Sequence, residues 1–394
     1  MGNVRTLGVV TVGRSDYGIC VPILRAFQAE PGLRLWLYVG GTHLEPGFGD
    51  GVSIIEADGF PIHARVPMGL TSDEPEAIAR SVGMGVEGFG RAFARSRPDL
   101  LLIVGDRFDM YCAALAAMLF RIPLAHVHGG ELTLGAMDDA LRHSMTKLSH
   151  LHFVATAEYA RRVVQLGEEP WRVTVSGAPS LDNLRGAELL PREHVERAIR
   201  MRLSRAPMIV TFHPATLEKE EPETQIEEVL AAVDTVALPT VFTAPNADTG
   251  SAAIRRVIGD YVQSHPEARL IENVGSRLYF TLMSIAGVMV GNSSSGLIEA
   301  ASFRLPVVNV GDRQLGRVRP ANVVDVPCRR ENILCGIQQA LGREFRESLR
   351  GLVNPYGDGN AAALIVKRVK EITIDDKLML KKFIDCSPEP DRHL

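Results

Sequence analysis

The sequence predicts an α/β protein of two Rossmann-like domains, on three observations. It is 394 residues long, each half alternates short apolar runs with helix-length amphipathic ones, and a stretch rich in structure breakers separates the halves. A chain of this length exceeds one ordinary core and suits two domains of roughly 180 residues. Hydrophobic residues make up 46% and charged residues 23%, as in ordinary soluble globular proteins, so a packed core is feasible.

In the first half the apolar run Thr6 to Val12 reads as a strand and Val21 to Glu30 as a helix. Leu33 to Val39 and Leu100 to Val104 are strands, Met110 to Phe120 a helix, and Leu124 to His128 a strand. In the second half Met208 to Phe212, Thr240 to Thr243, Gly287 to Val290 and Pro306 to Val310 read as strands with helix or loop after each. Alternation of this kind predicts parallel sheets with helices on both faces, and it makes the loops after the strands the expected binding surface. The linker is expected between Ser176 and Pro191, where Gly177, Pro179 and Gly186 break both periodicities. The expected divisions are therefore 1–182, 183–360 and 361–394, the last a helix over Ala361 to Ile372, a basic apolar segment to Phe383 and a frayed end.

The net charge of -4, from 43 Lys+Arg against 47 Asp+Glu, gives no global basic field and excludes nucleic acid as the expected partner. Cys20, Cys112, Cys328, Cys335 and Cys386 are scattered and lack CxxC spacing, which argues against disulfides and structural zinc and for reduced thiols in a cytoplasm. Met1 runs into a strand-like stretch without the pattern of a secretory signal, and no apolar run approaches the ~20 residues of a membrane helix. Asn292-Ser293-Ser294 fits a glycosylation sequon, but without such a signal it is read as part of a site.

Gly83-Met-Gly85-Val-Glu-Gly88 matches GxGxxG, yet it follows a helical pattern, whereas a dinucleotide fingerprint follows a strand; small residues in a tightly packed helix or turn are the preferred reading. Gly291-Asn-Ser-Ser-Ser-Gly296 does follow a strand and precedes the helical pattern Leu297 to Phe303. Backbone N–H groups and the hydroxyls of Ser293, Ser294 and Ser295 there suit an anion, with a plain serine helix cap as the alternative. Glu299, one turn on, suits ribose hydroxyls or simply the helix N-terminus.

Charged groups also follow two first-half strands, in Gly105-Asp106-Arg107-Phe-Asp109 and in His126-Val-His128-Gly-Gly-Glu131. Strand alternation puts His126 and His128 on one face, toward Glu131, as hydrogen-bonding groups or, less favoured, as metal ligands. On the helix that follows, positions four apart pair Asp138 with Arg142 and Asp139 with His143. These are either surface pairs or, beside Asp106 and Glu131, an acid/base cluster with separated pKa values.

Together these segments resemble the hydrolysing UDP-N-acetylglucosamine 2-epimerase family, in its sialic-acid and legionaminic-acid branch. The resemblance is carried by the motifs above with Gly13-Arg-Ser-Asp-Tyr-Gly18, Gly41-Thr-His43, Thr146-Lys-Leu-Ser-His150, Phe212-His-Pro214, Pro245-Asn-Ala-Asp248, Gly311-Asp-Arg-Gln314 and Tyr356-Gly-Asp-Gly-Asn360. It implies a GT-B-like fold with the active site in the interdomain cleft, UDP held by the C-terminal domain, the sugar facing the N-terminal one, and a tail helix returning to the latter. The implied reaction is anti elimination of UDP to a 2-acetamidoglucal, then hydration with inversion at C2; it requires no metal or redox cofactor.

By the same resemblance Asp106, Asp138 and His213 are catalytic. Arg14, Arg107, Ser293, Ser294 and Arg313 clamp the pyrophosphate, with Asp16 in the first of these motifs also on the substrate side. Glu299 meets the ribose, Asn246 and the backbone near Val274 border the uracil, and His43, His126 and Arg142 line the sugar. One departure is His128, where several members carry a catalytic Glu; either His128 or Glu131 then shuttles the proton. UDP-2,4-diacetamido-2,4,6-trideoxyglucose is an alternative substrate. A GT-B glycosyltransferase and a non-catalytic UDP-sugar-binding protein are readings of other classes. The resemblance further implies a homodimer or homotetramer.

Overall fold

In the computed structural model, residues 4–46, 50–72, 74–134, 136–185, 188–214, 221–245, 250–272 and 275–385 are described. The first half forms a seven-stranded sheet from β1 (Arg5–Thr11), β2 (Leu33–Gly40), β3 (Ile62–Val66), β4 (Leu100–Val104), β5 (Leu124–Val127), β6 (Leu151–Val154) and β7 (Val173–Val175), in the order β3-β2-β1-β4-β5-β6-β7. The second half forms a six-stranded sheet from β8 (Met208–Thr211), β9 (Thr240–Thr243), β10 (Ala268–Ile271), β11 (Val288–Gly291), β12 (Val307–Val310) and β13 (Val323–Val326), in the order β10-β9-β8-β11-β12-β13. Every pairing is parallel. This is the expected α/β architecture of two parallel sheets, with a GT-B-like arrangement.

Central strands such as Leu100–Val104 and Met208–Thr211 are buried along their whole length because helices cover both faces. Each Leu or Val fully removed from water there contributes about 1.5–3 kcal/mol. The GxGxxG segment lies inside the helix Pro75–Arg95, where a side chain at Gly85 would meet Met68 and Cys112, and one at Gly88 would meet Val66. Gly85 and Gly88 thus serve close packing, whereas Gly83 faces open space.

Three expectations need correction. The first helix runs Arg14–Ala29, starting well before Val21. Pro22 lies inside it and cannot donate to the Gly18 carbonyl; Asn183 Nδ2 donates to that oxygen instead, at 2.8 Å, so the helix passes the proline. The helix expected over Leu297 to Phe303 is a short turn, Ser295–Ile298, followed by a 3₁₀ turn, Ala300–Phe303. The fifth strand ends at Val127, before His128, whose φ of 67° is left-handed.

The stretch expected as a bare linker carries a 3₁₀ turn, Pro179–Leu184, with Leu181 buried. Asp182 accepts from the amides of Ala361 and Ala362 at 2.9 and 2.7 Å and so caps the helix Ala361–Glu371. That helix packs on Arg14–Ala29 under the first sheet, tied there by Arg5 to the Val369 carbonyl and by Lys370 to Glu30 at 2.5 Å. Beyond it Arg172 donates to the carbonyls of Lys377 and Leu378, both at 2.8 Å, and Leu378 is buried in the first core. Among the described residues no helix is long and apolar enough to cross a membrane.

Candidate active site

Both sheets turn the carboxyl ends of their strands to one cleft of about 450 Å³. It lies where strand order reverses in each sheet. The segments after β1 and β4 supply Arg14, Asp16, Asp106 and Arg107, and those after β8 and β11 supply His213, Ser293 and Ser294. Crossovers leaving to opposite faces open a crevice at such a point.

On the second-sheet wall, Gly291 has a φ of 132° and passes so close to Thr211 that a Cβ would lie 2.0 Å from its carbonyl oxygen. The glycine lets Asn292 reach the loop after β8. There Asn292 accepts from the His213 amide at 2.7 Å and donates to its carbonyl at 2.8 Å, which fixes His213 at the cleft. Gln314 donates to the Asn292 carbonyl at 2.8 Å, tying in the segment that carries Arg313. Ser293 and Ser295 hydroxyls are 3.0 Å apart, and Tyr279 reaches Ser295 at 2.7 Å. Glu299 is buried and bonded to the Ser180 hydroxyl; burial pushes its pKa up against that bond, and its Oε2 has no partner within the protein. The wall is thus rich in hydroxyls and cations and suits an anion.

On the first-sheet wall, Asp106 forms an ion pair with the buried Arg142. Arg142 also reaches Glu131 at 3.4 Å and the Thr133 hydroxyl at 3.0 Å. Arg317, from the second half, crosses to Glu131 at 3.2 Å, the Leu132 carbonyl at 2.8 Å and Thr133 at 3.1 Å. Burial works to raise the pKa of Glu131, but Arg317 and His128 outweigh it and hold the carboxyl below its ordinary value. Asp16 goes the other way. Burial lifts it to about 7, against hydrogen bonds from the Thr11 hydroxyl at 2.6 Å and the Val12 amide at 3.1 Å. Arg107 braces the buried Asp109 through paired contacts of 3.3 Å.

Of the residues singled out in the sequence, Arg14, Asp16, Asp106, Arg107, His128, Asp138, His213, Ser293, Ser294, Glu299 and Arg313 line the cleft. Glu131 and Arg142 stand one contact behind it, and Arg142 turns to Asp106 and Glu131. His143 does meet Asp139, at 3.6 Å.

Two residues are spent elsewhere. His43 meets Thr11 at 2.9 Å, and burial together with Arg14 lowers it to about 4. His126 donates through Nε2 to the Gly105 carbonyl at 2.7 Å, and burial lowers it to about 3. Both act as neutral braces of the loops rather than as groups facing the cleft. Asn246 and Val274 lie outside the described residues. Among the described residues no cluster of three His, Cys, Asp or Glu is placed to hold a metal ion.

This cleft is held by a chain that matches one family model, described as UDP-N-acetylglucosamine 2-epimerase, over residues 25–370. The chain belongs to that family. A hydrolysing GDP/UDP-N,N'-diacetylbacillosamine 2-epimerase of Campylobacter jejuni is 34% identical, over 97% of this chain and 99% of its own. Polysialic acid biosynthesis protein P7 of Escherichia coli is also 34% identical, over 95% and 96%. The crystal structure of a Neisseria meningitidis UDP-GlcNAc 2-epimerase bound to UDP-GlcNAc superposes with a TM-score of 0.80 at 19% identity, covering 93% of this chain and 100% of that one, and supports the fold. The protein is a hydrolysing nucleotide-sugar 2-epimerase.

Among the cleft residues the sequence reading did not single out are Arg317, Thr133, Ser180 and Tyr279. Arg317 carried a signal, since it follows Arg313 by one helical turn's length in a segment already marked, but its partner Glu131 is remote in sequence. Ser180 sat in a stretch read only as a linker.

Proposed function

We propose that the protein converts UDP-N-acetylglucosamine to N-acetylmannosamine and UDP, with residues 1–182 as the sugar side and 183–360 as the nucleotide side. The observation that carries this is the opposition across one cleft of Ser293, Ser294 and Arg313 to Asp106 and Asp138. Arg14, Arg107, Arg313 and His213 stabilise the diphosphate as it takes the electron pair of the C1–O bond. The Ser293 and Ser294 hydroxyls orient it, and the Glu299 oxygen that lacks a protein partner accepts from the ribose. Asp106 and Asp138 are the acid/base groups at the sugar, with Asp106 braced by Arg142.

The same chemistry on UDP-2,4-diacetamido-2,4,6-trideoxyglucose is the second reading, supported by the activity for which the C. jejuni relative is named. Incubation with each UDP-sugar in D₂O separates the readings. The true substrate yields free sugar of inverted configuration carrying deuterium at C2, together with UDP. A sugar transferred to an acceptor with its C2 hydrogen retained would make the protein a glycosyltransferase. Asp106→Asn is expected to lower UDP release by at least ~100-fold while UDP still binds; unchanged turnover would remove Asp106 from the chemistry.

A further inference from the structure

We propose that His128 is the base that takes the proton from C2, and that Glu131 orients it without touching the sugar. This deepens the epimerase reading and rests on it. The backbone sets the arrangement. The His128 amide still donates to the Phe153 carbonyl at 3.0 Å, as a sheet residue would, but its left-handed φ swings the ring out of the pleat and into the cleft wall. Gly130, at φ 75°, then turns the chain where a Cβ would lie 2.4 Å from the Tyr159 carbonyl oxygen. The turn returns Glu131 to its own strand end, with Oε1 2.6 Å from His128 Nδ1.

The ionisation of Glu131 decides the roles. Its Oε2 is held by Arg142 and by Arg317, which reaches over from the opposite wall, so Glu131 is a carboxylate and can only accept. His128 Nδ1 therefore carries the hydrogen of that bond, which leaves Nε2 as the nitrogen able to take up a proton. Nε2 is buried and has no partner within the protein. Glu131 has both oxygens committed and does not line the cleft, whereas His128 does. A carboxylate fixing the tautomer of an imidazole whose far nitrogen is vacant is an activated base.

In the step, the C2–H bond breaks and the proton goes to Nε2. The C–H electron pair becomes the C1=C2 bond, and UDP leaves with the C1–O pair. The resulting imidazolium is balanced by Glu131. Inversion then requires a different proton, delivered to the other face of C2 by Asp106 or Asp138, with water's oxygen added at C1 and water's remaining proton taken up by that acid's conjugate base. His128 returns its own proton to solvent, so the original C2 hydrogen is not retained.

The test is His128→Gly, which suits the left-handed backbone and leaves a ring-sized gap. With the parent's substrate in D₂O, kcat is expected to fall by ~100-fold or more with KM little changed. Added imidazole is expected to restore both UDP release and C2 deuteration. Glu131→Gln, which can donate to Nδ1 and so frees the tautomer, is expected to lower kcat without rescue by imidazole. His128→Asn, also tolerant of the left-handed backbone, must show the same loss, and it serves if the glycine variant fails to fold. Undiminished kcat in the folded variants, or a raised KM with kcat intact, would overturn the proposal. Loss of turnover that imidazole does not restore in a folded glycine variant would also overturn it. Absence of UDP release by the parent protein from every 2-acetamido UDP-sugar would instead defeat the epimerase reading itself, and is measured first.

Discussion

Burying Asp16 against Thr11 and the Val12 amide sets a cost that depends on pH. Its pKa rises from 3.8 to about 7 in the folded chain, so between these values the folded state holds a proton that the unfolded state has lost. Stability from this residue is therefore greatest below about 3.8 and falls as pH rises toward 7, by about 4 kcal/mol. Asp16→Asn keeps an oxygen for both donors and removes the charge. Thermal melts of the variant should lose part of their dependence on pH between 5 and 7 and lie above the parent at pH 8; parallel curves would show that Asp16 titrates normally. Residue types and motif order singled out many of the groups that line the cleft, yet His126 and His128 part company for a reason no spacing reveals. The pleat that would align them stops at Val127, and a positive φ redirects the second ring.

Elements were mostly legible in proportion to their burial, although β6, buried along its whole length, passed unread because His152 interrupts its short apolar run. β4, β5, β8, β9 and β12 are apolar runs covered on both faces and stand out from the sequence, while the edge strands β3, β7, β10 and β13 alternate with polar residues and pass unnoticed. The start of Arg14–Ala29 was hidden by Gly18 and Pro22, whose cost is relieved by Asn183 from a distant segment. Capping of Ala361–Glu371 by Asp182 is likewise non-local. Asp182→Ala should lower stability by about 1 kcal/mol in denaturant titration, with kcat unchanged. A loss in kcat at unchanged stability would instead give Asp182 a part in the chemistry.

At the scale of the molecule, the first sheet owes part of its core to residues that follow the second. Ile365, Val366, Val369 and Leu378 are buried against it and together represent on the order of 5–10 kcal/mol, comparable to the net stability of a whole domain. A chain ending at Asn360 is thus expected to lose the cooperative melt of the first half and to bind an apolar dye. A parent-like melt would show that the helix merely rests there. Arg172, Arg5 and Glu30 hold the same segment by its carbonyls and by the charge of Lys370, so the attachment is specific as well as apolar. During synthesis the ribosome releases β1 to β7 long before Ala361–Glu371. The half that bears Asp106 and His128 must wait, with an apolar face uncovered, until the second half has been translated, and chaperone demand should peak in that interval.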